Sequence, residues 1–212
     1  MLVYAGVLLL CLLGGPALAI EEPTYDLLSS YPEFELRRYS PHLVAEMEVG
    51  GDFDAVGSTA FRVLADYIFG NNRRRERIEM TAPVSQRASE GEKIGMTAPV
   101  TQRSAEGGNS YIVSFVMPAR YTLDTLPEPV DGRIRIRQEA GSVMAARRYS
   151  GRWTQANYEE NLKALREGLA RADLRPIGAP VYARYNSPFS LWFLRRNEVL
   201  IEVQAPESRD PR

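Results

Sequence analysis

Few side chains in this chain have types suited to chemistry, and their spacing limits what that chemistry is. There is one histidine, His42 in YSPHLVAE, a residue type that ligates transition metals or moves protons near neutral pH. The single cysteine, Cys11, lies in an apolar N-terminal stretch; the rest of the chain has none, which excludes thiolate nucleophiles, disulfides and Cys-ligated metals there. Two methionines, Met80 and Met96, hold the same place in a near-repeat, IEMTAPVSQ from Ile78 to Gln86 and IGMTAPVTQ from Ile94 to Gln102. Thioethers are soft ligands, and more often they fill irregular apolar spaces. Glu46 and Glu79 stand among apolar residues, where burial would raise a carboxyl pKa and suit it to receive a cation. No G-x-S-x-G, HExxH or P-loop is present, so the sequence offers no recognisable catalytic constellation and the expectation is a binder.

Charge narrows the partners. The 212 residues carry 26 basic and 27 acidic side chains, a net −1, which does not point to nucleic acid. The run Arg73-Arg74-Arg75-Glu76-Arg77 lacks a Gly-rich cradle or an aromatic platform and reads as a solvated loop.

Residues 1–19 read as a signal peptide: Leu2 to Leu13 is nearly all apolar, Gly14, Gly15 and Pro16 break it, and Ala17-Leu18-Ala19 has the small-x-small form of a cleavage site. The stretch is shorter than the about 20 apolar residues a spanning helix needs. The expectation is an exported protein, periplasmic or secreted, monomeric and free of the membrane after cleavage. Residues 20–30 form an N-terminal segment, 31–204 one domain, and 205–212 a frayed tail.

Elements that would position these side chains follow from periodicity. Glu33 to Val49 alternates as two strands broken near Ser40-Pro41. Phe53, Val56, Ala60, Val63 or Leu64, and Tyr67 then recur at helical spacing, with Asp52 as N-cap and Gly70-Asn71 as the stop. Both near-repeats and Tyr111 to Pro118 have strand character, and the prolines of YTLDTLPEPVDG imply a crossover connection. RIRIRQEAGSVMAARRYSG predicts two more strands; Tyr158, Leu162, Leu165 and Leu169 predict a second helix with Asn157 and Glu160 in capping positions. Glu198 to Val203 alternates as a last strand.

Laid over itself at an offset of 100, the chain matches in kind: Phe34 and Leu36 with Ile134 and Ile136, Leu43 to Ala45 with Val143 to Ala145, Phe53 with Trp153. A duplicated strand-strand-helix-strand unit follows, with its sheets closing together around a shared core. The fold class expected is α+β, a barrel-like antiparallel sheet with two outer helices. The proline in each near-repeat, Pro83 and Pro99, suits an edge or bulge.

YIFGNN, the doubled MTAPV, VSFVMPARYTLDTLPEP, YSG and ARYNSPFSLWFLRRNEVLIEV, in that order, resemble the SOUL heme-binding proteins over Tyr31 to Val203. The resemblance implies a distorted eight-stranded antiparallel β-barrel flanked by two helices, and binding of heme or related tetrapyrroles. In the member that gave the family its name, the proposed iron ligand precedes a Tyr-Gly-Pro matching Tyr39-Ser40-Pro41, and that position is Arg38 here, so His42 does not inherit the role. His42 is retained as a candidate axial ligand beside the default of no histidine ligand.

Other members are thought to hold heme in an apolar groove beside the first helix, which implies Phe61, Leu64, Ala65 and Ile68 here, with Met80 and Met96 as liners. Periodicity alone reads the same helix stripe as core. Burying roughly 300 Å² of porphyrin would contribute about 7 kcal/mol, and association costs leave weak, micromolar binding without strong coordination. Arg38, or the arginines at 73 to 75, would pair with propionates. The same architecture occurs in GyrI-like multidrug-sensing domains, which implies a rival reading as a binder of apolar or cationic molecules through Glu79 or Glu46; a Glu-dependent hydrolase is a third.

Overall fold

The computed structural model describes residues 20–74, 91–106, 110–187 and 189–204. The leader, the first near-repeat with Met80 and Glu79, Arg75, Arg77 and the tail lie outside the described residues.

The N-terminal segment adds a strand, β1 (Tyr25–Ser30), ahead of the duplicated part. The first unit then runs β2 (Glu35–Tyr39), β3 (His42–Gly50), α1 (Phe53–Ile68), the two-residue β4 (Asn72–Arg73), β5 (Val100–Ser104) and β6 (Ser110–Val116). The second runs from β7 (Glu128–Pro129) through β8 (Arg135–Glu139), β9 (Ser142–Tyr149), α2 (Gln155–Arg171) and β10 (Val181–Arg184) to β11 (Asn197–Glu202). Each unit therefore carries a second strand after its helix, and the duplication supplies eight strands of the main sheet.

That sheet is antiparallel throughout and has nine strands in the order β1-β2-β9-β11-β10-β5-β6-β3-β8. Strands β2 and β3 follow one another in sequence but do not pair. Instead β2 lies beside β9 of the second unit and β8 beside β3 of the first, so the units exchange their opening strands. The exchange keeps the sequence offset: Leu36 faces Ala145, and Ile136 faces Ala45.

Alternation along each strand sends one set of side chains to the helices and the other to the opposite face. Under α1 lie Leu43, Ala45, Met47, Val113 and Phe115; under α2 lie Leu36, Val143, Ala145, Val199 and Ile201. The sheet is curled but open, with β1 and β8 at its edges, so each helix covers its own core and the single shared core expected from the duplication does not form. The helix starts meet: Phe53 stacks on Tyr158 at 5.2 Å, and Asp54 Oδ1 accepts from the Gln155 backbone N–H at 3.0 Å.

Both helices enter through a glycine in the left-handed region, Gly51 with φ +130° and Gly151 with φ +124°. The N-cap of α2 is Thr154, whose side chain accepts from the Asn157 N–H. Asn157, read as a cap from sequence, lies inside the helix and instead donates to the Arg152 carbonyl at 3.0 Å, closing the YSG turn. YIFGNN is likewise structural: Tyr67 donates to the Pro127 carbonyl at 2.7 Å, and buried Asn72 donates to Tyr67 and Glu92 carbonyls while accepting from the Glu92 N–H.

The second near-repeat is only partly a strand. β5 starts at Val100, after Pro99, because β5 pairs on both sides and a residue without an N–H is excluded from a central strand.

Candidate functional site: a groove on the face away from the helices

The helix stripe implied by the resemblance packs on the sheet. Leu64, Ala65 and Ile68 are buried in the core beneath α1, and Phe61 is part-buried against Phe115 with ring centroids 5.3 Å apart. None of the four lines either of the two cavities considered below. Arg38 is exposed on β2, and Met96 is exposed ahead of β5. Of the sequence-read site residues that are described, only His42 lines either cavity.

The first of these cavities lies on the opposite face of the sheet. A groove of about 340 Å³ receives side chains from all eight duplicated strands, including Tyr39, Val44, Thr101, Val116, Arg137, Ser142, Val181 and Leu200. This is within the size range of small-molecule sites. It has an apolar flank of Val116, Met144, Val181 and Leu200, and a charged flank on which Arg103 and Arg137 stand beside Glu139 and Glu202. A second cavity of about 510 Å³ adjoins it, and Pro23, His42 and Val116 line both. Residues 21–24 run between them, held by Ala98 N–H to Glu21 carbonyl at 2.9 Å and Ser40 N–H to Thr24 carbonyl at 3.0 Å.

His42 opens β3, half-buried, with Nδ1 2.9 Å from the Ser40 carbonyl oxygen. A carbonyl only accepts, so Nδ1 must carry the proton, and in the neutral ring Nε2 keeps its lone pair. This is the arrangement that fixes a histidine for metal ligation. Among the described residues, no three of His, Cys, Asp or Glu converge to hold a free metal ion. His42 would supply a single nitrogen ligand to the iron of a group that carries its other ligands with it. With an apolar flank for a macrocycle and two arginines for carboxylates, the groove's donor set fits a heme; bound there, heme would supply the redox and ligand chemistry of its iron.

Sequence reading missed the charged cluster beside the groove. Glu198, on β11, is fully buried; Arg37 from β2 donates to it at 2.8 and 3.3 Å, Arg196 at 3.1 Å and the Tyr185 hydroxyl at 2.8 Å. Arg37 also pairs with Glu35, and Arg196 with Glu22. Burial opposes the charge on Glu198 most strongly, but Arg37, Arg196 and Tyr185 together outweigh it and hold the carboxyl below its ordinary value. Burial, reinforced by Glu198, pushes the Tyr185 phenol up. The signal was present in the sequence: arginine and glutamate inside FELRRY and NEVLIEV, at places where a central strand must supply partners.

Glu46, the other candidate carboxylate, is buried and accepts from Arg137 at 3.1 and 3.3 Å, with Arg103 at 3.5 Å. Arg137 also pairs with Glu139.

The family model described as SOUL heme-binding protein matches residues 20–202, nearly all of the described chain. The chain belongs to the SOUL family. Similar SOUL relatives include Heme-binding protein 2 of Homo sapiens, 27% identical over 175 residues, covering 78% of this chain and 79% of the relative. Heme-binding protein 2 of Mus musculus is 25% identical over 198 residues, with 87% and 90% covered. Among solved structures, the EcmrR C-terminal domain superposes with a TM-score of 0.58 at 8% identity, covering 85% of this chain and 98% of that one. A hydrolase from Listeria innocua superposes with a TM-score of 0.56 at 11% identity, covering 84% and 94%. These two likenesses show the fold alone. Heme binding is the property of the SOUL family, and the chain reads as a binder rather than an enzyme on that membership.

Proposed function

We propose that this chain binds heme or a closely related tetrapyrrole in the concave groove and holds it for sequestration or transport after export. The observation that carries this reading is His42 on the groove wall, its Nδ1 engaged by Ser40, opposite an apolar flank. Macrocycle burial against Val116, Met144, Val181 and Leu200 supplies most of the affinity, and Arg103 and Arg137 receive the propionates. Arg137 must loosen from Glu46 and Glu139 to do so, which keeps the affinity modest. Phe61, Leu64, Ala65 and Ile68 pack behind β3 and β6, on the other face of the sheet. The leader read at residues 1–19 supports an exported site of action.

Hemin titration of the wild type and His42→Ala, followed in the Soret band, tests this. Saturable binding whose spectrum changes in the variant supports axial ligation; saturation with an unchanged spectrum leaves the groove without His42 as ligand; no saturation sinks the heme reading.

The cation-binding alternative rests on Glu79 or Glu46, and Glu79 lies outside the described residues. Glu46 and the buried Glu198 each already have two arginine partners, so neither of these offers the unpaired buried carboxylate that a cationic ligand needs. The same saturation leaves Glu198 without a free oxygen for general-base work.

A further inference from the structure

The loop between β10 and β11 exposes an apolar apex that neither core nor groove uses. Phe189 is 95% exposed, Leu194 67%, Leu191 59%, Phe193 53% and Trp192 49%. The apex is a built structure: Leu194 N–H donates to the Leu191 carbonyl at 3.0 Å, Arg195 Nε to the Ser190 carbonyl at 3.0 Å, and Gly151 N–H to the Trp192 carbonyl at 3.2 Å. Five adjacent large apolar side chains held outward against water mark an interaction surface.

Charge identifies its kind. Val181 to Asn197 contains three arginines and no Asp or Glu, and Ala140 to Trp153 beneath it adds Arg147, Arg148 and Arg152, again with no acid. On a chain of net −1 this is a local excess of cations. Several are engaged inward: Arg196 with Glu22 and Glu198, Arg147 with the Glu33 carbonyl. Arg148 and Arg152 are exposed, and Arg152 sits over the Trp192 ring at 5.7 Å. A Trp, Phe and Leu tip with Arg152 over its tryptophan, in segments without acidic residues, suits an apolar interior beneath an anionic surface.

We propose that this loop docks the protein on an anionic phospholipid bilayer, with the apex entering the headgroup boundary and the arginines at the phosphates. The contact proposed is peripheral, made by the loop alone; no helix among the described residues is long and apolar enough to cross a membrane. The proposal departs from the expectation of no membrane contact and stands apart from the heme reading.

The test is flotation of the full chain with vesicles of phosphatidylcholine alone or mixed with phosphatidylglycerol, against a variant carrying Phe189→Ser, Phe193→Ser and Leu194→Ser and the same N-terminus. Wild type should float with the anionic vesicles and show a blue-shifted tryptophan emission. The variant should lose about tenfold or more in binding with unchanged circular dichroism and hemin titration. Arg148→Glu with Arg152→Glu should abolish the preference for phosphatidylglycerol. Equal flotation of wild type and serine variant, no flotation at all, or self-association in sedimentation velocity that the serine variant removes would overturn the proposal, the last by making a second copy the occupant.

Discussion

Arg37 and Glu198 are 161 residues apart in the chain and 2.8 Å apart in the fold, both sealed from solvent. The pair joins β2 of the first unit to β11 of the second across β9, and it forms the wall behind Tyr39 and Tyr185 at the edge of the groove.

Replacing Glu198 with Gln should therefore cost about 3–5 kcal/mol at neutral pH, because it strands Arg37 without its compensating charge. Chemical denaturation checks this. A double variant, Arg37→Met with Glu198→Leu, should cost less than Glu198→Gln alone, since no buried charge is left unpaired.

The same carboxyl sets a pH dependence. Its folded pKa lies below the ordinary glutamate value, so its contribution is fully present above that range and is lost as pH falls through the folded value. The stability gap between wild type and Glu198→Gln should stay constant from neutral pH down to about pH 5 and narrow below about pH 4. A gap unchanged down to acid unfolding would contradict the assignment.

Groove and helix face make opposite predictions for hemin. Ser142→Trp places bulk in the groove and should abolish saturable binding while leaving the melting temperature near wild type. Leu64→Ala empties space in the core under α1 and should cost about 2–5 kcal/mol yet leave hemin affinity per folded molecule unchanged. The reverse pattern would return the site to α1.

Gly151 is held at φ +124°, and a Cβ there would lie 2.6 Å from the Asn157 amide nitrogen that closes the turn into α2. Gly151→Ala should destabilise by about 1–3 kcal/mol. Gly51→Ala meets only Val56, at 3.5 Å, and should cost less. Thermal unfolding of both variants measures the difference.

Much of the fold was legible because periodicity and duplication are local properties. The stripes Phe53 to Tyr67 and Tyr158 to Leu169 gave both helices, and the offset of 100 reappears in the register that places Leu36 against Ala145 and Ile136 against Ala45. The exchange of strands was not legible, since alternation says which side chains share a face and nothing about which strand lies beside which. Thr154 displaced Asn157 as cap because YSG turns the chain before the helix starts.

The site was less legible. The Phe61 to Ile68 stripe is implied by the family resemblance, while its periodicity reads as core; the groove is assembled from single residues on eight strands, each unremarkable in its own segment. The Arg37 and Glu198 pair needed two segments to be read together, and only the observation that charges inside a central strand require partners would have linked them.

The exchanged strands also decide what one unit lacks by itself. A lone unit of this kind would leave β3 without its β8 neighbour and β2 without β9, and a second such unit would supply both. The present chain has the geometry of a swapped pair of units joined through the Pro118 to Asp131 connection. Its groove draws on both units, yet the pair is not equivalent there: His42 stands on one side where the other carries Ser142 at the matching place.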